Sequence, residues 1–523
     1  MLFNDHYTFR VPVFLLIIVF VFSSEVLQTQ IYESDKLKTA IDYISLAKKR
    51  LSENQFEDVL LVLRKFRLRY PESKYVVESL VIGAKAALAL DNTYQERFLL
   101  TKALSSAHKL EKESQYSVAD FINLQIDILI RLAIIFENEK EYLKSYGYFK
   151  QAIDKSLLFP GSISAKELNT LLLSAANTAY SSGAVSHQIS RDYLYSIDIE
   201  KLGNLELETL KRLAKLLKWE YLSAVDLGFK QLNVAVLAVD EDDLWVGSWT
   251  GGLSRYSLAS KTQKVFSSSQ NALSPTSIRD ILRFDRYVWV GTDQGLSVYS
   301  RASSRWRKEV ITGLNSPLNN ISSIVAYKDN LFVGTLGGGL WKKTNDEWSI
   351  ISTVGLPGSF ISTLEIIGEF LWIGTIDLGL IRMNIKTNEI ISFDDINPSM
   401  GPQNITDIVS DDGVVWIATF GSGIFRWEST ENRVTHFTAE NSFIPDNWVL
   451  SGAVGRLGVY FGTFGGGAVQ FIPSSSEWKT IGLSDGLPSL DVSTVFAVDS
   501  GVYFGTLGSG VAVLSETLHG IVM

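Results

Sequence analysis

The stretch Leu331–Trp341 reads LFVGTLGGGLW, with Gly334, Gly337, Gly338 and Gly339 set around Thr335. Glycines at this density cradle a phosphate when a strand precedes them and a helix follows, because backbone N–H groups and the helix N-terminus hold the anion. Here the loop runs into Leu340-Trp341-Lys342-Lys343, short and β-like, with no amphipathic helix behind it. The five histidines (His6, His108, His187, His436 and His519) form no H-E-x-x-H or other two-histidine metal spacing. No G-x-S-x-G elbow is present. Asp293 and Asp377 fall on equivalent turns two repeats apart, at different turn positions, which does not suit a glycosidase couple. With no cysteine in the chain, disulfides, thiolate metal sites, cysteine nucleophiles and a cysteine lipid anchor are all excluded. The expectation is a protein without catalytic residues, metal or cofactor, working by binding.

The glycine phrase recurs. It returns at Leu244 (LWVGSWTGGL), Val288 (VWVGTDQGL), Leu371 (LWIGTIDLGL), Val415 (VWIATFGSGI), Val459 (VYFGTFGGGA) and Val502 (VYFGTLGSGV). The residue before Thr or Ser is Gly247, Gly291, Gly334, Gly374, Ala418, Gly462 and Gly505, so the steps are 44, 43, 40, 44, 44 and 43 residues. Seven near-equal copies of this length predict seven four-stranded blades of a β-propeller. The glycines then read as hairpin turns, where positive φ is needed. In one repeat, an inner strand at Ile321 and Ile324 leads through Asp329-Asn330 to strand Leu331–Gly334, strand Leu340–Lys342 and an outer strand near Trp348–Ile351.

At 523 residues the chain exceeds one core, so two or more domains are expected. A formal charge of −9 argues against nucleic acid or an anionic membrane as partner. Only five of 39 glycines and one of 12 tryptophans lie before residue 226, and helical periodicity dominates there. The expected architecture is α + β: an N-terminal α-solenoid over 30–225 and a seven-bladed all-β propeller over 226–518, joined stiffly. Val11–Phe22, twelve apolar residues after Arg10 and before Ser23-Ser24-Glu25, reads as a signal peptide or N-terminal anchor over residues 1–24. The protein is therefore expected to be exported, periplasmic or envelope-associated. It would touch membrane only through that segment if uncleaved.

Two resemblances follow. Ala47, Phe56, Leu60, Leu63 and the closing Tyr70-Pro71 resemble a tetratricopeptide (TPR) repeat, with further copies at Ala133–Ser156 and Ala175–Ser196. A generic helical bundle is the alternative. TPR resemblance implies a groove for a peptide or partner protein. The helical part also resembles the TPR lipoprotein of the outer-membrane β-barrel assembly machinery. The blade phrase resembles the two-component-regulator propeller repeat over residues 232–516. That family occurs in extracytoplasmic sensor regions of bacterial hybrid histidine kinases and in stand-alone secreted proteins. This chain carries no kinase domain.

One variable residue follows each Gly-Thr pair: Trp249, Asp293, Leu336, Ile376, Phe420, Phe464 and Leu507. In a propeller this turn and the loop between blades share one face around the channel mouth. Six of the seven are apolar, which suits either a ring of ligand contacts or wedges between blades. Loops at Asn315, Leu356, Asn397, Ser442 and Ser484 rim the same opening. Trp245, Trp289, Phe332, Trp372, Trp416, Tyr460 and Tyr503 read instead as inter-blade core. The seventh copy lacks a fourth strand, which Trp219–Phe229 is expected to supply. The leading functional reading is a cell-envelope scaffold docking partner proteins or peptides. The alternative is an extracytoplasmic sensor of a glycan or small metabolite that relays to a separate partner.

Overall fold

The computed structural model describes residues 39–112, 122–266, 277–314, 319–351, 360–398, 400 and 403–522. Residues 1–24, read above as a signal peptide or N-terminal anchor, lie outside them. The chain divides between Leu213 and Ala214 into two compact units, one helical and one propeller.

The helical unit begins where Thr39 and Asp42 close a reciprocal capping box. α1 (Ala40–Ser52) and α2 (Phe56–Arg69) follow, and α2 stops at Tyr70 because Pro71 cannot continue it. α3 (Tyr75–Ala89), α4 (Thr93–Lys112), α5 (Ile122–Asn138), α6 (Tyr142–Leu158), α7 (Ala165–Ser182), α8 (His187–Tyr195) and α9 (Asn204–Leu217) complete it. Small residues sit where neighbouring helices press closest. Ala47 packs among Val59, Leu63 and Phe66, and Ala133 among Phe149 and Ala152, all buried. Among the described residues no helix is long and apolar enough to cross a membrane.

The propeller has seven four-stranded antiparallel sheets. Blade 1 is β2 (Val234–Asp240), β3 (Asp243–Ser248), β4 (Leu253–Ser257) and β5 (Gln263–Phe266). Blade 2 spans β6 (Ile278–Phe284) to β9 (Arg305–Glu309), blade 3 β10 (Ile321–Tyr327) to β13 (Glu347–Ile350), and blade 4 β14 (Ile361–Ile367) to β17 (Ile390–Ser392). A short helix, α10 (Phe393–Ile396), leaves blade 4. Blade 5 spans β18 (Ile405–Asp411) to β21 (Arg433–Phe437), and blade 6 β22 (Val449–Gly455) to β25 (Glu477–Ile481). Blade 7 has β26 (Val492–Val498), β27 (Gly501–Thr506) and β28 (Val511–Leu514) from the C-terminal side, and α11 (Glu516–Val522) follows. Its outermost strand is β1 (Trp219–Leu222), paired antiparallel with β28 from Trp219 opposite Leu514 to Leu222 opposite Val511. Two distant parts of the chain thus share one sheet, and the ring of inner strands closes from β26 back onto β2. Closure removes the free β-edge that an incomplete blade would expose.

The seven aromatic residues at the second strands are all buried between blades. The glycine reading needs correction. Gly374, like the other glycines before Thr, does not adopt positive φ; it ends the second strand where the next blade crowds it. A Cβ there would come within 2.6 Å of Ile405, the first residue of the next inner strand. Blade 5 has Ala418 at this place, packed with Val449. The positive-φ glycines are the later ones, such as Gly423 (φ 74°), where a Cβ would also strike the Phe437 carbonyl at 2.2 Å.

Candidate functional site

Each Thr of the repeated phrase is fully buried, and its hydroxyl ties the turn shut. Thr335 donates to the Gly339 carbonyl, Thr419 to Gly423 and Thr463 to Gly467, at 2.7–2.8 Å. The residue after it turns outward while its backbone N–H donates to the residue leading into its own blade. Trp249 donates to Asn233, Asp293 to Ser277, Leu336 to Asn320, Ile376 to Phe360, Phe420 to Asn404, Phe464 to Trp448 and Leu507 to Asp491. These bonds, 2.9–3.2 Å long, place all seven turn residues and all seven blade-leading residues on one face, around the inner strands. Isolated bridges join four of the turns to the following blade: Leu336 with Phe360, Phe420 with Trp448, Phe464 with Asp491 and Leu507 with Asn233.

The seven turn residues are not equivalent. Trp249, Ile376, Phe420 and Phe464 are exposed, whereas Asp293, Leu336 and Leu507 are half-buried between neighbours. The sequence reading missed their blade-leading companions. Trp448 is 44% exposed and lies between Phe420 and Phe464, with ring centroids 5.0 and 5.8 Å away and planes inclined by 21° and 33°. Three rings therefore form one ledge across blades 5 and 6. Phe360, Leu378 and Leu490 extend the exposed apolar surface along the rim. Across the ring, the Arg279 guanidinium stacks 4.5 Å above the Trp249 ring. Of the rim loops, those at Ser442 and Ser484 are described. Leu356 and Asn315–Leu318 fall outside the described residues, as does part of the Asn397 loop.

Below the mouth, each inner strand has a register shift between its first and third residues. The third side chain is thereby turned toward the next blade. Asp280 accepts the N–H groups of Ile281 and Ile324 at 2.7 and 2.6 Å, and Asp407 those of Ile408 and Gly452 at 2.9 and 2.8 Å. Glu365 lies two residues further along its strand. Burial pushes the Asp280 carboxyl up to about 6 and raises Asp407 as well. Glu365 is pushed up to about 8, by burial first and then by the charges of Asp407 and Asp280. Among the described residues no group of three His, Cys, Asp or Glu has metal-binding geometry.

The Glu365 shift has a measurable consequence. Between pH 4.5 and 8 the unfolded chain releases this proton and the folded propeller keeps it, so stability falls as pH rises. Glu365→Gln, a mimic of the neutral acid, is expected to match the natural protein at pH 4.5. At pH 8 it should exceed it by about 3 kcal/mol, read from denaturation curves across pH. An unchanged difference across that range contradicts the assignment.

A separate groove of about 850 Å³ opens among Arg426, Phe437, Phe443, Phe471 and Trp478 of blades 5 and 6. It contains none of the seven turn residues.

No family model matches the chain. Over 132 residues it is 30% identical to histidine kinase P4 of Formosa agariphila, covering 23% of this chain and 10% of that protein. Among solved structures it is similar to the extracellular domain of a putative hybrid two-component system from B. thetaiotaomicron. The TM-score is 0.47 at 18% identity, covering 57% of this chain and 42% of that one. The extracellular domain of a putative one-component system from the same organism gives 0.46 at 19% identity, covering 57% and 40%. The chain thus spans a tenth of the curated relative and about two-fifths of each of these structures.

Proposed function

We propose that the protein is an exported, non-enzymatic binding module of the cell envelope, whose propeller mouth takes a ring-bearing ligand, with a glycan as its first candidate. Occupancy is relayed to a separate signalling partner, with the helical unit, in its TPR-like reading, as the docking surface for that partner. The observation that carries this reading is the Phe420–Trp448–Phe464 ledge, exposed to solvent yet held rigidly by the turn hydrogen bonds. Flat aromatic faces beside polar groups suit the apolar face of a sugar ring, and a site fixed before binding spends little on ordering. The curated relative's name, a histidine kinase, fits a role in signalling.

The scaffold reading is favoured by a different arc. Phe360, Ile376 and Leu378 expose apolar surface together on blade 4, which suits a partner protein. The two are separated by calorimetric titration of the full chain with a panel of defined oligosaccharides. Sugar binding that weakens about thirtyfold (~2 kcal/mol) in Trp448→Ala is expected, as for a central aromatic anchor. Absence of any saccharide binding overturns the sensor reading.

A further inference from the structure

The second residue of each inner strand stands at the top of the channel: Ala235, Arg279, Ser322, Ser362, Thr406, Leu450 and Ser493. In blades 4, 5 and 7 its hydroxyl is used internally. Ser362, Thr406 and Ser493 donate to the carbonyls of Ile405, Val449 and Val234 of the following blade, at 2.5–2.6 Å. Blades 1 and 6 have apolar residues there. Blades 2 and 3 break this pattern. Arg279 Nε and Ser322 Oγ are buried with no hydrogen-bond partner among the described residues, and so are Ser277 Oγ and Asn320 Oδ1 on the residues leading into the same two blades. Four orphan polar atoms thus gather in one sector of a mouth whose other sectors are internally satisfied. Buried polar atoms left unpaired are costly, and a fold retains them where something outside the chain completes them.

The chemistry of the sector favours an anion. Arg279 is the single charged side chain at its position in the ring, and its plane is fixed by stacking on Trp249. Burial lowers its basicity, and the charge of Asp293 offsets this only in part. Asp293 is itself turned toward the backbone N–H of Ser277 at 3.4 Å. A planar guanidinium beside two hydroxyls matches the two oxygens of a carboxylate, and the Asn320 amide oxygen, an acceptor, suits a hydroxyl of the same sugar ring.

We propose that Arg279, with Ser277 and Ser322, forms a carboxylate-binding subsite at the channel mouth and that Asn320 accepts from a neighbouring ring hydroxyl, so that the preferred ligand is an acidic sugar such as a uronate. This rests on the sugar reading of the mouth and goes further by naming the ligand's charge. Trp249 and the Phe420–Trp448–Phe464 ledge supply ring contacts, and Arg279 selects the acid.

The test is titration of the full chain with oligogalacturonate and with its methyl ester, which keeps the ring and removes the charge. The acid is expected to bind about ten- to a hundredfold more tightly than the ester, as for a hydrogen bond to a charged group. Arg279→Met should erase that ratio. Arg279 Nε has no hydrogen-bond partner among the described residues, and a methionine can keep packing on the Trp249 ring, so the variant should melt close to the natural protein and loss of binding cannot be assigned to misfolding. Asp293→Asn should tighten the acid severalfold and leave the ester unchanged. Equal affinity for acid and ester, or a ratio unaffected by Arg279→Met, overturns the subsite. If neutral sugars still bind and depend on Trp448, the sugar reading of the mouth survives that failure. No binding of any sugar overturns both.

Discussion

Replacing Trp219 with alanine is expected to destabilise the propeller by about 3–5 kcal/mol, the range for deleting a buried tryptophan from a packed core. Trp219 belongs to the only blade built from both ends of the unit. Its ring is 6% exposed, packs against Phe504 with centroids 5.8 Å apart, and shares a cluster with Ala468, Ile481 and Leu487 of the preceding blade. The indole N–H donates to the Asp485 carbonyl at 2.6 Å, and Tyr221 donates to the Gly486 carbonyl at 2.7 Å. Gly486 lies so close that a Cβ there would come within 2.6 Å of the indole. One side chain therefore fastens β1 to blade 7 and blade 7 to blade 6. Trp219→Phe, which keeps an aromatic ring and loses the N–H, should cost about half as much. Denaturation of the full chain, with the propeller transition resolved from the helical one, gives the values. A loss below about 1 kcal/mol would show that β1 does not hold the ring shut.

A second large effect is expected where α11 follows the last blade. Glu516, at the start of α11, is fully buried. Its carboxylate accepts the backbone N–H groups of Arg456 and Leu457 at 2.8 Å and the Tyr460 hydroxyl at 2.9 Å. Gln470 extends the network to Tyr460 and to His519. Burial, followed by the neighbouring carboxylate, raises the Tyr460 phenol well above its ordinary value, so the hydroxyl stays a donor. Glu516→Ala strands three donors and should cost about 3 kcal/mol. Glu516→Gln, which keeps one acceptor oxygen, should cost less, because the network is partly rebuilt. The helix then acts as a plug between the last blade and the hairpin of β22 with the strand Gly458–Thr463. Equal stability of Glu516→Ala and the natural protein would leave α11 as a passive tail.

Much of this was legible before the structure. The spacing of the Gly-Thr phrase fixes the number of blades, and alternation around Trp245 or Trp372 identifies the inter-blade core, because both depend on local pattern. Closure by the segment at Trp219 was legible from the missing fourth strand of the last repeat. Assigning residues up to 225 to the helical part was less apt, since Trp219–Leu222 is a strand whose partner lies nearly 300 residues away. What no single repeat shows is what the neighbouring blade presses against it. Gly374 reads as a turn glycine until Ile405 is seen against it. Trp448 and Phe360 lie in irregular loops outside the repeated phrase, and only the register of the inner strands places them beside the turn residues. The orphan atoms around Arg279 were hidden for the same reason. Their meaning comes from comparison with Ser362, Thr406 and Ser493, whose hydrogen bonds run between blades.

The most direct test of the mouth as a ligand site is photo-cross-linking in intact cells from a photoreactive residue at Phe464. A control residue is placed at Asp412, on a hairpin of the opposite propeller face. The account predicts carbohydrate adducts at Phe464 that are absent from the control. A single defined envelope protein captured from Phe464, with no carbohydrate, would contradict it and establish the scaffold.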